Sequence, residues 1–79
     1  MKLQIIRPDS QLFSGDNIAL VQLPGLDGSF EILENHAPMI SALKAGRIKV
    51  IDNDKQTQYF TIGGGILEVL HNQVLVLAE

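Results

Sequence analysis

Residues 24–38 read Pro-Gly-Leu-Asp-Gly-Ser-Phe-Glu-Ile-Leu-Glu-Asn-His-Ala-Pro, which concentrates turn-forming residues in one short segment. Pro24 fixes its own φ, and Gly25 and Gly28 tolerate a positive φ, so the pattern predicts two tight turns around a short acidic loop. The apolar residues at 30–33 then return the chain to a hydrophobic core. This segment therefore predicts a strand, a tight connection and a second strand.

Short apolar runs recur elsewhere at intervals of about 8 to 12 residues with turn residues between them, which is typical of an antiparallel sandwich or barrel. His71-Asn72 fits a two-residue hairpin connection, because Asn tolerates the positive φ of such turns. Residues 39–43 fit either a helical stripe after Pro38 or a strand. We predict strands at residues 2–7, 17–23, 29–33, 46–52, 56–62, 65–70 and 73–78.

Two of these strands carry apolar residues on both faces. In one, Ile18 and Leu20 alternate with Ala19, Val21 and Leu23; in the other, Val74 and Val76 alternate with Leu75 and Leu77. A sandwich has one inner layer, so the second apolar face of such a strand is either covered by loops or exposed to a partner. Both interpretations are open from the residues alone.

Size and composition limit the function. The 79 residues make one domain, 1–79, and the chain has no Cys, which fits a reducing compartment without proving one. The apolar segment at the N-terminus is too short, and too quickly interrupted by charged residues, to be a signal peptide. No apolar run is long enough to span a bilayer, so we expect no direct membrane insertion. The net charge is −3, and the only basic cluster is Lys44, Arg47 and Lys49. This distribution argues against nucleic-acid binding.

Candidate chemistry is sparse. His36 near Glu34 suggests general acid/base catalysis, hence a small hydrolase, but no nucleophile motif accompanies the pair. Gly63-Gly64-Gly65 lacks the ending of a phosphate-binding loop and is better explained as a bulge or close backbone contact. A free-standing small-ligand or carbohydrate-binding β module using His36 is the main alternative function. We predict no catalytic residue, cofactor or metal site.

The quoted stretch resembles the N-terminal domain of the epsilon subunit of F-type ATP synthases, whose signature combines Pro-Gly, a second Gly, an aromatic-Gly-Ile-Leu-Pro-like run, His-Ala-Pro and Leu-Lys-x-Gly. A second match is the run from Gly63 to Val69, and a third is the closing segment 72–79. The resemblance therefore spans the chain. Within the signature, the matching residues are Gly28, Phe30, Ile32, Leu33, His36, Ala37, Pro38, Leu43, Lys44 and Gly46.

This resemblance implies a flattened antiparallel β-sandwich, with residues 39–43 in a strand, at the foot of the central stalk between the gamma subunit and the c ring. It implies a non-catalytic rotor subunit, a monomer within the complex, that couples proton- or sodium-driven rotation to ATP synthesis on the cytoplasmic face of the inner membrane. The implied c-ring contacts are Gly25, Leu26, Asp27, Gly28, Ser29 and Glu31. The implied gamma contacts are His36, Pro38, Met39, Ser41, Leu43, Leu75 and Leu77.

The sequence departs from the family pattern in two ways. Glu31 replaces a Gly, Glu34 a Pro and Asn35 a Gly, so the loop is more acidic than the pattern. Most family members continue beyond the residues that match Leu77-Ala78-Glu79 into a helical hairpin, which can restrain ATP hydrolysis in bacteria. The expected fold of these 79 residues is the β domain without that hairpin.

Overall fold

The computed structural model describes all 79 residues as seven β-strands joined by turns and short loops, without a helix. This confirms the all-β prediction. One strand, β2, was not predicted, since its sequence contains only two adjacent apolar residues, Leu12 and Phe13. The strands are Lys2–Arg7 (β1), Ser10–Gly15 (β2), Ile18–Gly25 (β3), Gly28–Leu33 (β4), Met39–Asp52 (β5), Thr57–Leu70 (β6) and Gln73–Ala78 (β7).

The strands form one hydrogen-bonded sheet in the order β2-β1-β7-β6-β5-β3-β4. Five of the pairings are antiparallel, but β1 and β7 run parallel. The predicted antiparallel arrangement is therefore found at five of the six strand pairs, and the β1–β7 pair is the exception. The reason is topological: β1 and β7 lie at opposite ends of the chain, so no hairpin turn fixes their relative direction.

The sheet closes into a sandwich because β5 and β6 are long and bent. Each contains 14 residues, and a straight strand of that length would extend about 46 Å. The largest dimension of the molecule is 27 Å. Both strands must therefore turn over the core, and each contributes to both halves of the sandwich. The predicted sandwich is confirmed.

Glycines lie where β6 changes direction. The strands predicted at 56–62 and 65–70 are one strand that continues through Gly63, Gly64 and Gly65. Gly65 has φ = 152°, and a Cβ there would overlap the carbonyl oxygen of Leu77 and lie 3.1 Å from Cα of Ala78. The glycine run is therefore a site of close backbone approach, as the sequence suggested, rather than a break between strands.

The core consists of 16 buried hydrophobic residues and contains no buried polar residue. Ile18 lies in it together with Val21, against the simple alternation predicted for β3. The pairing explains this difference: Ile18 lies opposite Asp52 and Leu20 opposite Ile51, so Ala19 is an extra residue in β3. A β-bulge of this kind reverses the face on which the preceding residue lies.

The β6–β7 connection is the predicted two-residue turn. Leu70 pairs with Gln73, and both intervening residues have a positive φ, 50° for His71 and 60° for Asn72. Two positive φ values are the mark of a type I′ turn, which matches the twist of the flanking strands. The backbone requirement of this turn accounts for Asn72.

Candidate partner-binding surfaces

An uninterrupted row of apolar side chains crosses the outside of one half of the sandwich. Ile6 lies opposite Leu77, Leu77 opposite Ile66, and Ile66 opposite Ala42, on four adjacent strands. Leu77 is 51% exposed and Ile66 is 50% exposed. Such neighbours on one face of a sheet form a continuous hydrophobic strip, and exposed strips of this kind mark interaction surfaces.

Further apolar side chains extend this strip. Leu75 lies opposite Glu68, which lies opposite Ile40, and Ile40 is 74% exposed. Polar residues border the surface, including Gln4 opposite Leu75. Glu68 is exposed and lies among these apolar side chains, so the surface is apolar apart from one carboxylate within it. We call this surface the outer apolar face; it comprises Ile6, Ile40, Ala42, Ile66, Leu70, Leu75 and Leu77.

The predicted alternation of β7 is confirmed. Val74 and Val76 are buried, whereas Leu75 is half-buried and Leu77 is exposed. The apolar residues of β7 thus serve two purposes, because one set fills the core and the other lies on the outer apolar face. Since no loop covers Leu77, the interpretation of an exposed second face holds for this strand.

The beginning of β5 presents different residues from those named in the sequence analysis. Met39 packs against the core, Ser41 is half-buried and Leu43 is buried. The outward side chains are Ile40 and Ala42. Sequence reasoning missed them because it named the alternate residues Met39, Ser41 and Leu43, and alternation along a strand does not tell which of its two faces lies outward. Pro38, just before the strand, is exposed.

The β3–β4 hairpin projects a tight two-residue tip. Gly25 pairs with Gly28, and Leu26 and Asp27 form the turn between them. A Cβ on Gly25 would lie 2.7 Å from both the Gly28 carbonyl oxygen and the Phe30 ring, so this turn requires glycine. Leu26 is 62% exposed, and Asp27 is also exposed. The tip therefore offers one apolar and one acidic side chain to the surroundings.

The hairpin tip lies beside the outer apolar face. The backbone N–H of Leu26 donates to the carbonyl oxygen of Ala42 at 3.4 Å, which joins the tip to β5. Ser29 is exposed near the tip, but Glu31 lies further along β4, opposite Gln22. The structure thus brings the tip next to residues of the outer apolar face, and it separates Glu31 from Asp27.

The suggested catalytic pair is not assembled. The Glu34 carboxylate accepts hydrogen bonds from the Met1 α-ammonium group and from the Asn72 side-chain amide, the latter at 2.8 Å. These bonds, with the ammonium contact the stronger cause, hold the pKa of Glu34 below its ordinary value. His36 instead donates from Nδ1 to the neighbouring Ala37 carbonyl oxygen at 2.7 Å. His36 and Glu34 therefore have separate local partners.

No group of three His, Asp or Glu side chains is close enough to hold a metal ion. The structure contains no helix that could span a membrane. The exposed features of the molecule are the outer apolar face and the hairpin tip. The protein is thus a small β-sandwich domain with two candidate surfaces for binding other proteins.

Comparison with known proteins gives the family. The family described as ATP synthase, Delta/Epsilon chain, beta-sandwich domain matches residues 1–79. The ATP synthase epsilon chain of Chlorobium limicola is 42% identical over 78 residues, which cover 99% of this chain and 88% of that one. The epsilon chain of Maricaulis maris is 40% identical over 79 residues, which cover 100% of this chain and 58% of that one. The chain belongs to the ATP synthase epsilon family.

Solved structures agree with the fold. A chain in the mitochondrial ATP synthase of Euglena gracilis superimposes with a TM-score of 0.90 at 19% identity, covering 96% of this chain and 48% of that one. A chain in the central stalk and c-ring structure of Tetrahymena thermophila gives a TM-score of 0.84 at 15% identity, covering 98% and 61%. The resemblance found in the sequence is thus confirmed. An epsilon chain is a stalk subunit of ATP synthase and is not itself catalytic.

Proposed function

We propose that this chain links the gamma subunit to the c ring in the rotor of an F-type ATP synthase, and so couples ion-driven rotation to ATP synthesis elsewhere in the complex. The observation that carries the proposal is the exposed outer apolar face lying directly beside the hairpin tip. Family membership supports a peripheral, membrane-associated complex as the setting. In this proposal the chain lies on the cytoplasmic face of the membrane, as one copy per rotor.

The outer apolar face is assigned to gamma. Leu77 and Ile66 are each half exposed, and Ile40 is more exposed still. Removing apolar surface from water contributes about 25 cal/mol per Å², and the contribution changes little with salt. A stable interface buries about 800 Å² on each partner, so residues beyond the apolar row, such as His36 and Pro38, complete it. Binding to gamma should therefore be tight and insensitive to ionic strength.

The hairpin tip is assigned to the polar loops of the c ring. The tip is short, and its Gly25 is packed against the Phe30 ring, so the backbone of the Leu26-Asp27 turn is closely constrained. The Asp27 carboxylate is suited to an Arg or Lys of a c-ring loop. An exposed ion pair contributes about 0–1 kcal/mol and is screened by salt. The c-ring contact should therefore be weaker than the gamma contact and salt-sensitive.

A titration with purified gamma subunit, by calorimetry at low and high salt, tests the assignment. Leu77→Asp should abolish binding, because it places a charge in the centre of the apolar row. Leu33→Asp is the matched control: Leu33 is 53% exposed, nearly the same as Leu77 at 51%, but it lies on β4 in the other half of the sandwich. Circular dichroism and thermal unfolding establish that both variants are folded.

Salt-insensitive binding of the parent chain and of Leu33→Asp, with loss in Leu77→Asp, supports the proposal. If Leu77→Asp and Leu33→Asp both bind gamma as well as the parent chain does, gamma does not bind at the outer apolar face. Failure of the folded parent chain to bind gamma would overturn the rotor function itself. A screen for small ligands that raise the melting temperature, without a protein partner, would then test the binding-module alternative.

A further inference from the structure

Glu68 is an exposed carboxylate surrounded by apolar side chains on the outer apolar face. Across the sheet, it lies opposite Leu75 on one side and Ile40 on the other. Along β6, its neighbours on the same face are Ile66 and Leu70, which are 50% and 46% exposed. The positions that border Glu68 on this face are therefore all apolar.

The Glu68 carboxylate has no ion-pair partner within the chain. The only ion pair in the structure joins the Met1 amine to Glu34. Lys2 lines the same cavity as Glu68, but it lies on β1, two strands away from β6 and so about 10 Å across the sheet. In the free domain, water therefore solvates the Glu68 charge.

Glu68 lines two cavities that open on the outer apolar face. One, of about 170 Å³, is also lined by the amide side chains of Gln4 and Gln73. The other, of about 420 Å³, extends toward Pro38 and Ile40. One water molecule needs about 10–15 Å³ measured in this way, so even the smaller cavity is many times larger. A long side chain of a partner therefore has room to reach the carboxylate.

A partner that covers the outer apolar face removes water from Glu68. Burying an ionised carboxylate without a counter-charge is strongly unfavourable, and this cost opposes the gain from the apolar row. An arginine on the partner avoids the cost, because its guanidinium group forms charge-assisted, bidentate hydrogen bonds with a carboxylate. Apolar contacts are not directional, whereas an ion pair among them fixes the register of two surfaces.

We propose that Glu68 is the specificity-determining residue of the outer apolar face, and that it selects a partner surface with an arginine placed against it. The apolar row provides affinity. The pair between Glu68 and the arginine fixes the register and excludes apolar surfaces that lack a cation. The inference rests on the proposed function in one respect, which is that the partner is the gamma subunit.

Calorimetric titration of purified gamma with three variants tests this inference. Glu68→Leu makes the face wholly apolar and should weaken binding at least about tenfold, because the arginine of gamma is left buried without a counter-charge. Glu68→Gln adds no apolar surface and should weaken binding at least about fivefold, because it loses the charge-assisted hydrogen bonds. Glu31→Leu is the matched control, since Glu31 is exposed on β4 in the other half of the sandwich and its loss changes the net charge equally. This control should bind as the parent does.

Two further measurements separate binding from folding and locate the arginine. Each Glu68 variant should melt within about 4 °C of the parent, because the free domain offers Glu68 no charged partner. Size-exclusion chromatography establishes that each variant is monomeric at the concentration of the titration. Changing each surface arginine of gamma to Ala in turn should identify one whose loss weakens binding of the parent but has no further cost with Glu68→Leu.

Binding of Glu68→Leu or Glu68→Gln as tight as that of the parent, or tighter, would overturn the inference. Equal weakening by Glu31→Leu, or the absence of any arginine of gamma coupled to Glu68, would also overturn it. These results leave the rotor function standing, because the parent still binds gamma. Failure of the folded parent to bind gamma is a separate result, which overturns the rotor function and, with it, the assignment of the arginine to gamma.

Discussion

Ile66 and Leu67 are neighbours in β6 with opposite environments, and truncating each to Ala should have very different costs. Leu67 is 0% exposed, whereas Ile66 is 50% exposed. Leu→Ala in a core costs about 2.7–5 kcal/mol because it leaves a cavity. Complete burial of an Ile contributes about 1.5–3 kcal/mol, so half burial, with a small loss of strand propensity, gives about 1–2 kcal/mol for Ile66→Ala.

These costs are large for this chain. A domain of 79 residues is stable by about 4–12 kcal/mol in total. Each kcal/mol shifts the melting temperature by about 4–8 °C. Leu67→Ala should therefore lower it by at least about 10 °C, and Ile66→Ala by less than half as much as Leu67→Ala.

Thermal and urea unfolding, followed by circular dichroism at two protein concentrations, provide the measurement. The second concentration separates folding stability from self-association through the outer apolar face. Equal destabilisation by the two substitutions at both concentrations would refute the assignment of Ile66 to the outside. It would also remove one of the two inner residues of the apolar row that the proposed gamma contact uses.

Gly65→Ala should destabilise the domain by about 1–3 kcal/mol or more in urea titrations, because φ = 152° strains any side chain and the new Cβ meets the Leu77 carbonyl; a neutral result would contradict the close β6–β7 approach. Since the pKa of Glu34 is lowered on folding, its contribution is present above the ordinary value of 4.5 and is lost as pH falls through the folded value. The stability difference between the parent and Glu34→Gln should accordingly shrink below about pH 4.5, and a pH-independent difference would exclude the charged contact. Asn72→Gly should be less destabilising than Asn72→Ala in thermal unfolding, because φ is 60° and Gly accepts it freely; the reverse order would count against strain. Asp27→Asn should leave the melting temperature within about 2 °C of the parent and reduce association with purified c rings only at low salt, and a salt-independent loss would exclude an ion pair.

Much of the fold could be predicted because its local signals are strong. Alternating Val and Leu in β7 and the His71-Asn72 turn follow from side-chain period and backbone φ, which depend on neighbouring residues only. The parallel pairing of β1 with β7 could not be predicted in this way, since it joins residues some seventy positions apart. The family resemblance gave the sandwich but not this strand order.

The surfaces were predicted less completely. The strands predicted at 56–62 and 65–70 are one continuous strand, β6, and the bulge at Ala19 moves Ile18 to the core face. Ile40 and Ala42 were missed because the alternation of a strand does not show which of its two faces lies outward, and residues 39, 41 and 43 were named instead. The contact between the Met1 amine and Glu34 links positions 33 residues apart and has no sequence signature.

The bending of β5 and β6 has a mechanical consequence. Each strand runs through both halves of the sandwich, and their mutual register continues from Met39–Val69 to Ile51–Thr57. No flexible connection separates the hairpin tip from the outer apolar face, because Ala42 on β5 contacts Leu26 and lies in the apolar row. A load applied at one surface therefore reaches the other through many backbone hydrogen bonds acting together. Such a body turns as a unit and stores little elastic energy, so any compliance between two partners bound to it would have to reside in those partners.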